Sequence, residues 1–265
     1  MDLELQGRRA LITGGSRGIG LATARALARE GCTVVLVARG EKALLEAAGA
    51  ITDAGGRAVA LAGDSRDDEQ VRRVVELAAS EVGGIDILVN AAATPAGGGT
   101  PATLQQLEDD DLRQEMETKV LGYLRFARAA APYMVRQRWG RIINISGLAA
   151  RQATSIVGSI RNVSVAALTK NLADQLGPHG VNVTVVHPGM TETERTPGMV
   201  TALAESAQID EEAARRRLAA NVSIGRMVTA SEIADVVAFL ASPRSIAING
   251  DAVIAGGGAV GPIYY

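Results

Sequence analysis

The chain has 265 residues, enough for one large domain or two small ones. Its 27 Lys and Arg against 29 Asp and Glu leave a formal charge of −2, without the basic excess of a dedicated nucleic-acid binder. One cysteine, Cys32, excludes an intramolecular disulfide and suits a reducing compartment, and with two histidines it offers no obvious metal cluster, so no metal is expected. No stretch approaches the about 20 apolar residues of a spanning helix, and the acidic start Met1-Asp2-Leu3-Glu4 lacks a signal-peptide pattern. A cytoplasmic protein that binds neither membrane nor nucleic acid is expected. Aromatic residues are only 3%, so the core has to be built from Ala, Val, Leu and Ile.

From the N-terminus onward, β-branched apolar runs alternate with helix-length segments. The runs cover residues 9–13, 33–38, 58–62, 85–90, 141–146, 181–187 and 251–255. The helical segments start near Gly18, Gly40, Asp67, Glu108, Ser155 and Thr229. Several runs, such as Val34-Val35-Leu36-Val37, are apolar throughout, as strands buried on both faces are. This predicts an α/β fold: a single doubly wound domain over 1–265, with a parallel sheet and helices on both faces.

Two of the helices are long. Residues 108–138 place Leu112, Met116, Val120, Leu124, Ala127, Ala131 and Met134 on one stripe, with a kink or break expected at Pro132. Residues 155–176 carry Ile156, Ile160, Val163, Ala167, Leu168 and Leu172 similarly. The glycine run 96–99 reads as a loop, and the polar stretch 190–222 as a lid over a ligand.

Strand 9–13 runs into Thr13-Gly14-Gly15-Ser16-Arg17-Gly18-Ile19-Gly20 at the start of a helix. Glycines permit a tight turn and close backbone approach to a pyrophosphate, and a helix N-terminus offers free N–H groups and a positive dipole end. Gly14, Ser16, Arg17, Gly18, Ile19 and Gly20 are therefore candidate cofactor residues. The second strand ends at Arg39, where an NAD-preferring fold would carry Asp or Glu for the ribose 2′-hydroxyl. Arg17 and Arg39 together suit a 2′-phosphate, so NADP(H) is expected over NAD(H).

Further motifs follow: Gly63-Asp64 after the third strand, Leu88-Val89-Asn90-Ala91-Ala92-Ala93 at the fourth, and Gly140 to Ser146 at the fifth. His187-Pro188-Gly189 and Thr193 close the sixth, and Asn249-Gly250 with Gly256-Gly257 lie near the C-terminus. With the glycine turn, they resemble the short-chain dehydrogenase/reductase family over residues 7–258. The resemblance implies a Rossmann-type seven-stranded sheet in the order 3-2-1-4-5-6-7. It implies hydride transfer between NAD(P) and a carbonyl or alcohol substrate. It also implies a homodimer or homotetramer formed through the two long helices. It assigns Asp64 to the adenine and adds Asn90, Ala91, Ala92, Pro188, Gly189, Thr191 and Thr193 to the cofactor residues.

The catalytic positions depart from the family. Its members use a Tyr as general acid/base, a Lys four residues later, a Ser that orients the substrate oxygen and an Asn on the preceding helix. This chain has no Tyr-x-x-x-Lys; its tyrosines are Tyr123, Tyr133, Tyr264 and Tyr265. Matching Ala167 to Ala173 with the family's stretch places Gly158 at the tyrosine position, Asn162 at the lysine position and Lys119 at the asparagine position. Lys and Asn have traded places, so a cation would reach the site from the other helix. Ser146 is the available hydroxyl, with Gly147 after it. Ser146, Lys119 and Asn162 are the candidate catalytic residues. His187 reads as packed beneath the cofactor or touching substrate, and Arg161 as facing a substrate carboxylate or solvent. Three functions stay open: an NADP(H)-dependent oxidoreductase with an altered proton relay, a nucleotide-binding sensor or partner protein, and a lyase or epimerase.

Overall fold

Strands that are apolar on both sides need a helical layer on each face. The computed structural model, which describes residues 1–93 and 102–261, builds that arrangement. In chain order the elements are β1 (Arg9–Thr13), α1 (Gly18–Arg29), β2 (Thr33–Ala38), α2 (Glu41–Asp53), β3 (Arg57–Ala62), α3 (Asp68–Val82) and β4 (Ile87–Asn90). Then come α4 (Asp109–Glu115), α5 (Gly122–Gln137), β5 (Gly140–Ile145), α6 (Ile156–Leu176), β6 (Val181–Pro188) and β7 (Thr191–Glu192). The chain closes with α7 (Thr196–Ala207), α8 (Glu211–Ala219), β8 (Val228–Thr229), α9 (Ala230–Ala241) and β9 (Ala252–Ala255). Seven strands form one parallel sheet in the order β3-β2-β1-β4-β5-β6-β9, the order that the family resemblance implies. The glycine run 96–99 lies outside the described residues.

Alternate side chains of each strand enter opposite layers. Ile12, Leu36, Val89 and Ile143 pack with Ala24, Leu27, Ile233 and Val237 of α1 and α9. Leu11, Val35, Leu88 and Ile142 pack with Val71 and Val75 of α3 and with Phe126 and Met134 of α5. β1 pairs with β2 on one side and β4 on the other, so the winding reverses at the C-terminal end of β1. Open α/β sheets bind ligands in the crevice at such a point.

Three expectations need correction. The helix does not break at Pro132, which lies inside α5. The irregularity lies earlier, in a π-helical turn over Met116–Leu121 that joins α4 to α5. Second, the inward face of this helix carries Lys119, Tyr123, Phe126, Ala127, Ala130 and Met134, whereas Leu112, Met116, Val120, Leu124 and Ala131 are only half-buried. Third, α6 buries Asn162, Val165, Thr169 and Ala173, while Ile156, Ile160 and Val163 of the expected stripe are exposed. The 190–222 stretch, read only as a polar lid, contains β7, α7 and α8, the helices closed on each other by Val200, Ala204 and Ala214.

Candidate cofactor and active site

The crevice beyond β1 and β4 is a cavity of about 1250 Å³. At Gly14 φ is +67°, and a Cβ there would lie 2.8 Å from the Ala91 carbonyl oxygen. A Cβ on Gly20 would lie 2.3 Å from the Gly14 carbonyl oxygen. No side chain fits at either position, so the turn stays bare backbone. Thr13 Oγ1 accepts the Ala91 and Ala92 N–H groups at 3.0 and 3.1 Å, tying the ends of β1 and β4 together. Arg17 precedes α1 without capping it through its side chain. The Gly18 N–H at the helix start instead donates to Glu194 Oε2 at 3.1 Å. A carboxylate oxygen thus stands in at this end for the oxygen of an anionic ligand. The bare turn and a helix start whose N–H already meets a carboxylate oxygen fit a dinucleotide diphosphate.

Gly14, Ser16, Arg17, Gly18, Ile19, Gly20, Arg39, Asp64, Ala91, Ala92, Pro188, Gly189, Thr191 and Thr193 all line the cavity. Asp64 is held by Arg66, with Nη2 to Oδ2 at 2.7 Å, and this contact keeps its carboxyl below the usual range. Asn90 does not line the cavity. It is fully buried and its Nδ2 donates to Asn144 Oδ1 at 2.9 Å. Asn144 Nδ2 donates in turn to Thr169 Oγ1 at 2.9 Å, so this chain of amides fixes α6 against β4 and β5.

Lys119, Ser146 and Asn162 meet at the other end of the same cavity. The π-helical turn carries Lys119 inward, where it is 3% exposed. Its Nζ donates to the Ser146 carbonyl oxygen at 2.9 Å and to Asn162 Oδ1 at 3.1 Å. Ser146 Oγ donates to the Asn162 carbonyl oxygen at 3.0 Å, which commits its proton to α6. Burial, helped by the Arg161 charge and opposed by Glu115, pushes the Lys119 amine down to about 7. A neutral amine has two N–H groups, and both acceptors are filled; the remaining direction carries either the lone pair or the third proton.

His187 neighbours Ser146 through the β5–β6 pairing, is fully buried, and does not line the cavity. Neither ring nitrogen has a hydrogen-bond partner among the described residues, and burial first, then Arg151 and Lys119, push the ring down to about 4. A neutral imidazole packed under the site follows. Gly158 lines the cavity, and no tyrosine does among the described residues.

A sequence profile of the short chain dehydrogenase family matches residues 8–203. The chain belongs to this family. It is 37% identical over 250 residues to the short-chain reductase protein NovJ of Streptomyces niveus, covering 94% of this chain and 92% of that one. It is 33% identical to the 3-oxoacyl-[acyl-carrier-protein] reductase FabG of Vibrio cholerae, covering 97% and 98%. Among solved structures, L-sorbose reductase of Gluconobacter frateurii, complexed with NADPH and L-sorbose, superposes with a TM-score of 0.92 at 30% identity, over 99% of this chain and 100% of that one. The relatives are reductases by name, and this short-chain dehydrogenase is an oxidoreductase by family.

Two features of this family member were not legible in its sequence. Glu194 belongs to a polar stretch in which nothing marks one carboxylate over its neighbours. Glu115 pairs with Arg161 across α4 and α6, a contact between residues 46 apart. An acidic residue four before Lys119 was the only signal available, and that spacing occurs on most surface helices.

Proposed function

We propose that this short-chain dehydrogenase interconverts a carbonyl and an alcohol with NADP(H), and that Lys119 holds the exchanged proton. The observation that carries the reading is the Lys119 ammonium, buried at the cavity wall and aimed by Ser146 and Asn162. A nicotinamide cofactor supplies or accepts the hydride when bound. The glycine turn and α1 would hold its diphosphate, with Ser16, Ile19, Ala91 and Ala92 along the dinucleotide and Asp64 at the adenine. Arg17 and Arg39 supply two guanidinium groups for a 2′-phosphate, which favours NADPH. Pro188, Gly189, Thr191 and Thr193 border the nicotinamide end.

In the reductive direction, protonated Lys119 gives its third N–H proton to the developing alkoxide oxygen. The neutral amine keeps both remaining hydrogen bonds, so the proton leaves without rearranging the site. An amine near 7 suits this exchange at neutrality, because an acid works best when its pKa lies near the working pH. Asn162 and Ser146 act by position: one takes a lysine hydrogen bond, the other ties the strand to α6. The 190–222 segment serves as the lid, since Met190, Met199, Leu218 and Val222 line the cavity.

The exposed Ile156, Ile160 and Val163 stripe on α6 supports a homodimer or homotetramer through the long helices. No described helix is long and apolar enough to cross a membrane. We place the protein in the cytoplasm.

The absence of a cavity tyrosine among the described residues favours a second reading, a nucleotide-binding partner protein without chemistry. NADPH oxidation monitored against a panel of ketones and aldehydes separates the two. Turnover that Lys119→Met abolishes supports the first. Tight NADPH binding with no turnover on any carbonyl supports the second.

A further inference from the structure

Glu115 and Arg161 lie beside Lys119 and Asn162 on the same two facing helical segments. Arg161 lines the cavity next to Lys119, while Glu115, its counter-ion, does not. The catalytic end of the cavity therefore meets two cations, and the carboxylate that offsets them sits behind the wall.

Arg161 Nη1 donates to Glu115 Oε2. Its Nε is buried and has no hydrogen-bond partner among the described residues, while the side chain as a whole stays 12% exposed. Nε and Nη2 form one edge of a guanidinium. The same edge of Arg9 grips Asp86 in this molecule, with Nε to Oδ2 at 2.7 Å and Nη2 to Oδ1 at 2.8 Å. In Arg161 no carboxylate of the described residues meets Nε. A buried charged donor without a partner is costly, and carboxylates meet the guanidinium fork in two parallel hydrogen bonds. One turn earlier on α6, Gly158 presents only backbone to the cavity.

We infer that Arg161 is the anion-binding residue of the substrate subsite, and that the natural substrate is an oxo acid or hydroxy acid whose carboxylate docks on the part of its guanidinium that reaches the cavity. Lys119 would then face the reacting oxygen while Arg161 holds the acid group, giving the substrate two anchors and one orientation. The inference rests on the carbonyl-reductase reading for its choice of substrate, but the anion subsite is separable from it.

The test compares 2-, 3- and 4-oxopentanoate with their methyl esters. The expected result is a kcat/KM with NADPH at least about tenfold higher for one acid than for its ester, and loss of that preference in Arg161→Gln. Because Arg161→Gln leaves Glu115 without its partner, the double variant Arg161→Gln/Glu115→Gln is measured beside it, with thermal melting to show that both fold. Binding of each acid to the NADP⁺-loaded protein is followed by calorimetry as an independent readout. Acid binding that depends on Arg161, without turnover, keeps the anion subsite and rejects the reductase reading. Turnover of ester and acid alike, unchanged in both variants, keeps the reductase and overturns the subsite. Failure of every acid to bind also overturns the subsite.

Discussion

At the residue scale the account turns on a lysine whose proton is easily lost. Its folded pKa is depressed, so between about 7 and its ordinary value near 10.5 the unfolded chain carries a proton that the folded chain lacks. Stability contributed by this residue therefore rises with pH across that window and is lowest below it. Chemical denaturation at pH 7 and pH 9 should show the wild type gaining up to about 1.4 kcal/mol per pH unit relative to Lys119→Met. A constant difference between the two proteins across that range contradicts the burial argument. The second residue-scale prediction concerns Arg39. Replacing Arg39 with Asp should weaken NADPH binding by about 1.5–3 kcal/mol, the range for a hydrogen bond to a charged group, while NADH binding holds or improves. Dissociation constants for both cofactors check it, and tighter NADH binding by the wild type counts against the assignment.

At the element scale the glycine turn tolerates no added atom. Gly20→Ala places a Cβ 2.3 Å from a backbone oxygen that cannot rotate away. The expected outcome is a loss of about 1–3 kcal/mol of stability, as for overpacking, together with at least tenfold weaker cofactor binding. Melting and cofactor titration of the variant read both. This turn was legible because strand, glycines and helix follow one another within a dozen residues. The strands were legible because β-branched runs such as Val34 to Val37 have no polar face to mislead. The helices were harder. Polar and apolar residues are mixed around all sides of α6, so no stripe could tell that Asn162, Val165, Thr169 and Ala173 face inward. The π-helical turn adds a residue to the helical repeat without any glycine or proline to mark it, so a regular 3.6-residue pattern carried through it pointed to the wrong face. π-Turns of this kind concentrate at functional sites, and here the turn delivers Lys119 to the cavity. That Lys119 and Asn162 meet was within reach of the sequence, because the family resemblance set both at one site.

At the scale of the whole molecule, the fold leaves an apolar stripe of α6 exposed. Ile156, Ile160 and Val163 are 46, 41 and 51% exposed, and Leu121 adds 38% from the neighbouring helix turn. Light scattering at micromolar concentration should give two or four times the chain mass of 27.4 kDa. Ile160→Glu, which puts a charge into that stripe, should shift the population toward monomer. A wild type that is monomeric throughout contradicts the assembly. The net charge of −2, spread over 265 residues, predicts nothing about the site. The electrostatics that matter are local: two cations at the cavity wall and one carboxylate behind them.

The central claim is that Lys119 holds the exchanged proton, and the pH dependence of kcat for NADPH-driven carbonyl reduction tests it most directly. The account predicts a fall in kcat as pH rises through about 7, where Lys119 loses its proton, and loss of both that inflection and most of the rate in Lys119→Met. A Lys119→Met enzyme that keeps the wild-type rate and the same pH profile contradicts it.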